Sequence, residues 1–103
     1  TILMRTIEVN GQPAGHVSSY IGDAGLEITY WLGREYWGRG IASAALQAFL
    51  LVQTHRPLRG RAAADNAASL RVLERCGFAR VGQARGFANA RQAEIDEILL
   101  ELT

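Results

Sequence analysis

Apolar residues alternate with polar ones along the first third of the chain and then crowd into one long run. Residues 2 to 9 are rich in β-forming side chains and end at Asn10-Gly11. Between two apolar runs that dipeptide is a strong hairpin signal. The partner strand is predicted over 14 to 21, where Val17, Ser19 and Ile21 alternate against His16, Ser18 and Tyr20. Gly22-Asp23-Ala24-Gly25 predicts a second turn and residues 26 to 32 a third strand. Its two faces carry Leu26, Ile28, Tyr30 and Leu32 on one side and Glu27, Thr29 and Trp31 on the other. A helix is then predicted over 39 to 55. It is apolar almost all round, so it needs cover on more than one side. Arg56-Pro57 stops it, because proline disfavours helix in the residue before it.

Residues 58 to 64 read as a short strand, and Asp65 or Asn66 as the N-cap of a helix over 67 to 76. Gly77 suits the position after that helix, with Phe78 packing back. Residues 79 to 87 and 94 to 102 are expected to pair as the last two strands. The order is βββαβαββ in one domain of mixed α/β (α+β) class.

The most informative stretch is Tyr30-Trp31-Leu32-Gly33-Arg34-Glu35-Tyr36-Trp37-Gly38-Arg39-Gly40-Ile41-Ala42. It takes an apolar strand through two glycines, one residue apart, directly into the long helix. Glycine lets backbone approach a ligand closely, and the first amides of a helix are unpaired and partly positive. Together they form a site for phosphate or pyrophosphate. A Walker loop needs a lysine after its last glycine, and the chain has no lysine. The dinucleotide fingerprint needs Gly or Ala where Ser43 stands.

Gly38-Arg39-Gly40-Ile41-Ala42 resembles the acetyl-CoA loop of the GNAT superfamily of N-acetyltransferases, and the Tyr-Trp-Gly run before it looks most like the RimJ/RimL-type branch. A second segment, Asp65-Asn66-Ala67-Ala68-Ser69-Leu70-Arg71-Val72-Leu73-Glu74-Arg75-Cys76-Gly77-Phe78, is similar to the family's second signature. The resemblance covers residues 14 to 102 and implies a twisted, mostly antiparallel sheet with two helices. The family has a further strand and two helices ahead of these elements, and no counterpart can be placed here. Exposed apolar surface is therefore expected, and with it a homodimer.

The resemblance also implies a chemistry. Acetyl-CoA would be the co-substrate, without a metal. Its pyrophosphate would lie on the amides of Trp37, Gly38, Arg39, Gly40, Ile41 and Ala42, with Arg39 adding charge. Its pantetheine arm would pair with backbone near Tyr30, Trp31 and Leu32, between the third strand and the strand at 58–64. A backbone N–H there can polarise the thioester carbonyl. An amine must lose a proton to attack, and a carboxylate can take it. Glu27 is the first candidate for this base, Glu35 the second and His16 the third. Leu73 occupies the place where many relatives carry a tyrosine acid, so Ser69 becomes the candidate donor to the leaving thiolate, with Cys76 as the alternative. Asn66 either orients the ligand or only caps its helix. Trp31, Tyr36 and Trp37 either line the acceptor pocket or belong to the core.

Composition adds limits. Net charge is +1, which gives no general pull toward nucleic acid. All eleven basic residues are arginine, and eight fall between Arg56 and Arg91 beside only Asp65 and Glu74. That zone suits a ligand with several phosphates, or is simply a solvated surface. No stretch of about 18 residues is wholly apolar, so no membrane span is expected, and the first residues lack a signal-peptide layout. A single cysteine fits a reducing cytoplasm. The leading expectation is an N-acetyltransferase acting by direct amine attack on acetyl-CoA, the acceptor being a protein N-terminus or a small-molecule amine. The alternatives are a non-catalytic CoA-binding or assembly module and a different nucleotide-binding fold.

Overall fold

The computed structural model describes residues 3–22, 25–88 and 93–103. Its strands are β1 (Leu3–Val9), β2 (Gln12–Gly22), β3 (Gly25–Leu32), β4 (Leu58–Ala63), β5 (Ala79–Ala88) and β6 (Ala93–Leu102). Its helices are α1 (Ile41–Val52) and α2 (Ala67–Arg75), and a single 3-10 turn spans Arg34–Tyr36. The element order and class are those the pattern of apolar residues predicts. Asp23 and Ala24, the centre of the second predicted turn, lie outside the described residues.

The six strands form one sheet in the order β1-β2-β3-β4-β6-β5. Every neighbouring pair is antiparallel except β3 with β4. The first hairpin turns on Asn10 and Gly11 at φ 52° and 78°. Two successive positive φ values match the right-handed twist of the flanking strands.

Both helices lean on the sheet face that carries Ile28, Leu58, Ala62, Ile98 and Leu100. Leu46 and Phe49 of α1 and Leu70 and Leu73 of α2 complete this core, with Phe78. Gly60 admits α2 to the sheet: a Cβ there would stand 3.3 Å from Leu73 and 3.6 Å from Ile28.

The structure corrects the expectations for α1 in two ways. It is shorter at both ends than the predicted 39 to 55. Gly40 is left-handed at φ 73° and so stands outside the helix, while Gln53 turns extended. There the Gln53 amide donates to the buried Ser19 hydroxyl at 2.8 Å, which pins the end of α1 to β2. Among the described residues, moreover, α1 is covered on one side only. Leu51 is 81% exposed and Val52 50%. The opposite sheet face is open too among the described residues, with Met4 65% and Trp31 58% exposed.

Candidate functional site

The site is built where the sheet comes apart. β3 and β4 share one rung, Glu27 with Arg59. On its other edge β3 pairs continuously with β2 from Leu26 to Leu32. The Gly33 amide donates to the Ala14 carbonyl at 2.8 Å. Because antiparallel bonding alternates, this sets the parity: Ile28, Tyr30 and Leu32 direct their N–H and C=O groups away from β2. Tyr30 is the first of them beyond the rung, so its backbone groups lie in the opening. The Leu32 carbonyl is taken by the Trp37 indole N–H at 2.8 Å, which folds the loop back onto the strand.

The glycine loop follows. Gly38 and Gly40 have φ 76° and 73°, which a side chain strains to adopt. A Cβ at either would meet no atom within 4 Å, so both face open space. Gly40 is the N-cap of α1 and supplies no side-chain acceptor. The first intrahelical bond runs from the Ala44 amide to the Gly40 carbonyl at 3.1 Å. The amides of Ile41, Ala42 and Ser43 are therefore left for a ligand. Unpaired amides at a helix start, beside glycines that face open space, are the arrangement that suits an anion such as phosphate.

One cavity of about 510 Å³ joins the loop to the strand opening. Its wall is formed by Tyr30, Trp31 and Leu32, then Tyr36, Trp37, Gly38, Gly40, Ile41, Ala42 and Ser43, and across from them Asn66, Ala68, Ser69, Arg71, Val72 and Arg75 of α2 and its cap. Trp31, Leu32, Trp37, Gly38, Gly40, Ile41, Ala42, Asn66 and Ser69 thus line one cavity. Arg39 is not on the cavity wall: its guanidinium lies 5.9 Å from the Tyr36 ring centre. Arg34 packs similarly over Trp37, at 5.5 Å.

Two cations that the sequence reading did not single out take that place. Arg71 and Arg75 are four residues apart on α2, and so share one helical face. Their spacing was the available signal. Asn66 is an N-cap, its side-chain oxygen accepting from the Ser69 amide at 3.2 Å. Its capping role and its place on the cavity wall coexist. Leu73 is fully buried core. Cys76 lies off the cavity, its thiol pushed up by burial and directed to the Ser43 carbonyl at 3.7 Å.

Tyr30 is the second addition. Its hydroxyl and that of Ser69 are 2.8 Å apart. Alternation along β3 places Tyr30 on one face with Leu26, Ile28 and Leu32. Burial raises the Tyr30 phenol above its ordinary value; the Ser69 hydrogen bond works against this and Cys76 adds slightly to it.

Glu27 does not reach the cavity. It is buried on the other sheet face, at the rung where β3 and β4 still pair. Its carboxylate accepts from the Tyr20 hydroxyl at 3.3 Å and from Arg61 at 3.3 and 3.4 Å. Gly22 leaves the space, since a Cβ there would overlap the Glu27 side chain. Arg61 also meets Glu97 at 3.5 Å. Burial, then the Glu27 charge and hydrogen bond, push the Tyr20 phenol up, so Tyr20 donates at neutral pH. Glu35 is exposed on the 3-10 turn, and His16 stacks on Trp31 at 6.3 Å.

Comparison with known proteins bears on this arrangement. The family model described as Acetyltransferase (GNAT) domain matches residues 4–79. The uncharacterized N-acetyltransferase p20 of Bacillus licheniformis is 31% identical over 81 residues, covering 74% of this chain and 45% of that protein. The chain thus spans less than half the length of this curated relative. The structure of the Microcin C7 self immunity acetyltransferase MccE in complex with acetyl-CoA and AMP superposes with TM-score 0.84 at 24% identity, covering 99% of this chain and 61% of that one. A ribosomal-protein-alanine N-acetyltransferase from Brucella melitensis also reaches 0.84, at 19% identity, over 98% of this chain and 68% of that one. At these identities the two structures establish a shared fold.

Proposed function

We propose that this chain, which belongs to the GNAT acetyltransferase family, binds acetyl-CoA in the cavity between β3, α1 and α2 and transfers its acetyl group to a primary amine. The observation that carries this reading is the continuity of one cavity from the left-handed glycines at the start of α1 to the unpaired backbone of Tyr30. A phosphate cradle and an open strand edge suit a ligand with a pyrophosphate at one end and an amide-bearing arm at the other.

In this reading the amides from Gly38 to Ala42 hold the pyrophosphate, and Arg71 and Arg75 face the remaining phosphate charge. The β3 edge receives the arm as an added strand. The Tyr30 N–H donates to the thioester carbonyl, where negative charge grows as the amine attacks. Glu27 is the proposed base. It collects the amine proton through water or through Tyr20, a residue 40% exposed whose hydroxyl donates to Glu27. The acceptor is an amine of a peptide N-terminus, as the RimJ/RimL-type resemblance suggests, or of a small molecule. A homodimer belongs to the same proposal, since Leu51 and Val52 leave an apolar strip on α1. A light-scattering mass of one chain at micromolar concentration counts against it.

One observation favours a second reading. The Glu27 carboxylate is engaged by Arg61 and Tyr20 on the face away from the cavity, as in a structural ion pair. A CoA-binding module without turnover would carry such a residue unchanged. Calorimetric titration with acetyl-CoA, against ATP and NAD as controls, is the first test. Saturable binding of acetyl-CoA alone supports the ligand assignment, and thiol release with an amine panel then separates enzyme from module. Binding of ATP or NAD in preference overturns the assignment.

A further inference from the structure

We infer that the paired hydroxyls of Tyr30 and Ser69 are the hydrogen donor to the sulfur that leaves when the acetyl group is transferred. The inference rests on the acetyl-CoA reading above, and it assigns the donor to β3 and the first turn of α2 together rather than to α2 alone.

The argument begins with proton counting. Two hydroxyls carry two protons, and one is consumed in their mutual 2.8 Å bond. Neither hydroxyl makes another hydrogen bond among the described residues. One proton is therefore unspent, and both residues stand on the cavity wall. Whichever oxygen donates within the pair, the other offers its hydrogen to the cavity. The arrangement is held from both sides. Tyr30 is fixed by the β2–β3 ladder, and Ser69 by the Asn66 cap on its amide.

Position separates this pair from the cavity's other hydroxyls. Tyr36 and Ser43 belong to the glycine loop and the start of α1, the phosphate end. Tyr30 and Ser69 lie at the strand opening, where the arm would end. The first turn of α2 also presents the positive end of a nine-residue helix, which favours a developing thiolate. Leu73, one turn further along, is buried and has no proton to give.

The step balances. As the C–N bond is complete and the C–S bond breaks, the electron pair passes to sulfur. The Tyr30 hydroxyl donates its hydrogen bond or its proton to that sulfur, with Ser69 donating to the phenol oxygen. The proton lost by the amine leaves through Glu27 to solvent, and Tyr30 recovers one from solvent through the cavity. An amine and a thioester thus become an amide and a thiol, with no other reactant.

The test does not need the acceptor. CoA is bound to the wild type, Tyr30→Phe and Ser69→Ala, and thiolate absorbance is followed against pH, with the ligand-free proteins subtracted. The bound thiol is expected to titrate about one unit lower in the wild type than in Tyr30→Phe, a tenfold shift toward thiolate. Ser69→Ala should fall between. Once an acceptor is known, Tyr30→Phe should lose about 10²-fold in kcat, with KM for acetyl-CoA within roughly twofold. Equal thiol titration in all three proteins, with CoA bound by each, overturns the inference and leaves the ligand assignment standing. No CoA binding by the wild type overturns both.

Discussion

Replacing Gly38 with glutamate tests the loop most directly, because its two effects can be worked separately. Gly38 sits at φ 76° with open space where a Cβ would go. The variant therefore folds without a clash but holds an L-residue in the left-handed region. That costs about 1–2 kcal/mol, or a fall of about 4–8 °C in Tm per kcal/mol for a domain of this size. Asparagine, which tolerates this conformation, should cost less. Glutamate adds a charge beside the proposed phosphate cradle. One unit charge about 4 Å from another opposes it by about 1 kcal/mol in water and about 4 at the effective dielectric of a protein surface. Against a pyrophosphate this predicts a Kd raised about 10²-fold or more, with Gly38→Asn close to wild type. The charge part should shrink at high salt, and the strain part should not. Calorimetry at low and high ionic strength, with thermal melts of all three proteins, reads both. A folded Gly38→Glu protein that binds acetyl-CoA as the wild type does at low salt would refute the placement of phosphate on this loop.

Three further perturbations address other parts of the structure. Glu27→Gln should reduce turnover at neutral pH by about 10²-fold or more if the carboxylate is the base, with acetyl-CoA affinity unchanged. A lowered Tm with unchanged kcat would instead make Glu27 a partner of Arg61 and Tyr20 only. Asn66→Ala removes the cap on Ser69 and should destabilise by about 1 kcal/mol. CoA affinity that falls by more than this loss explains would reveal a direct contact, and unchanged affinity would leave Asn66 a cap alone. Tyr20 and Tyr30 both have phenols raised by burial, so folding favours their protonated forms. Their contribution to stability is complete below about pH 10, the unfolded value, and is lost as pH rises through the higher folded values. Denaturant melts should show this alkaline loss in the wild type and less of it in Tyr30→Phe; an identical loss in both would contradict the burial of the Tyr30 hydroxyl.

Much of the local structure can be read from short stretches. Asn10-Gly11 marks its hairpin because few residues accept two positive φ values in succession. Asn66 and Gly77 bracket α2 because one supplies a side-chain acceptor and the other takes φ 97° at the helix end. The glycine loop is legible for the same reason: its chemistry lies in backbone that a few adjacent residues shape. Side-chain partners are another matter. Arg39 sits in the loop by sequence yet packs on Tyr36, while Arg71 and Arg75 reach the cavity from a helix more than thirty residues away. Tyr30 and Ser69 are 39 residues apart and meet because α2 settles on the strand opening through Gly60. Glu27 has its face set by alternation, but Tyr20 and Arg61 determine what its carboxylate does. The sequence by itself determined the order of strands and helices and the backbone of the glycine loop, since those depend on preferences within a few residues. The tertiary structure alone decided which side chains share the cavity, since that depends on how separate elements pack.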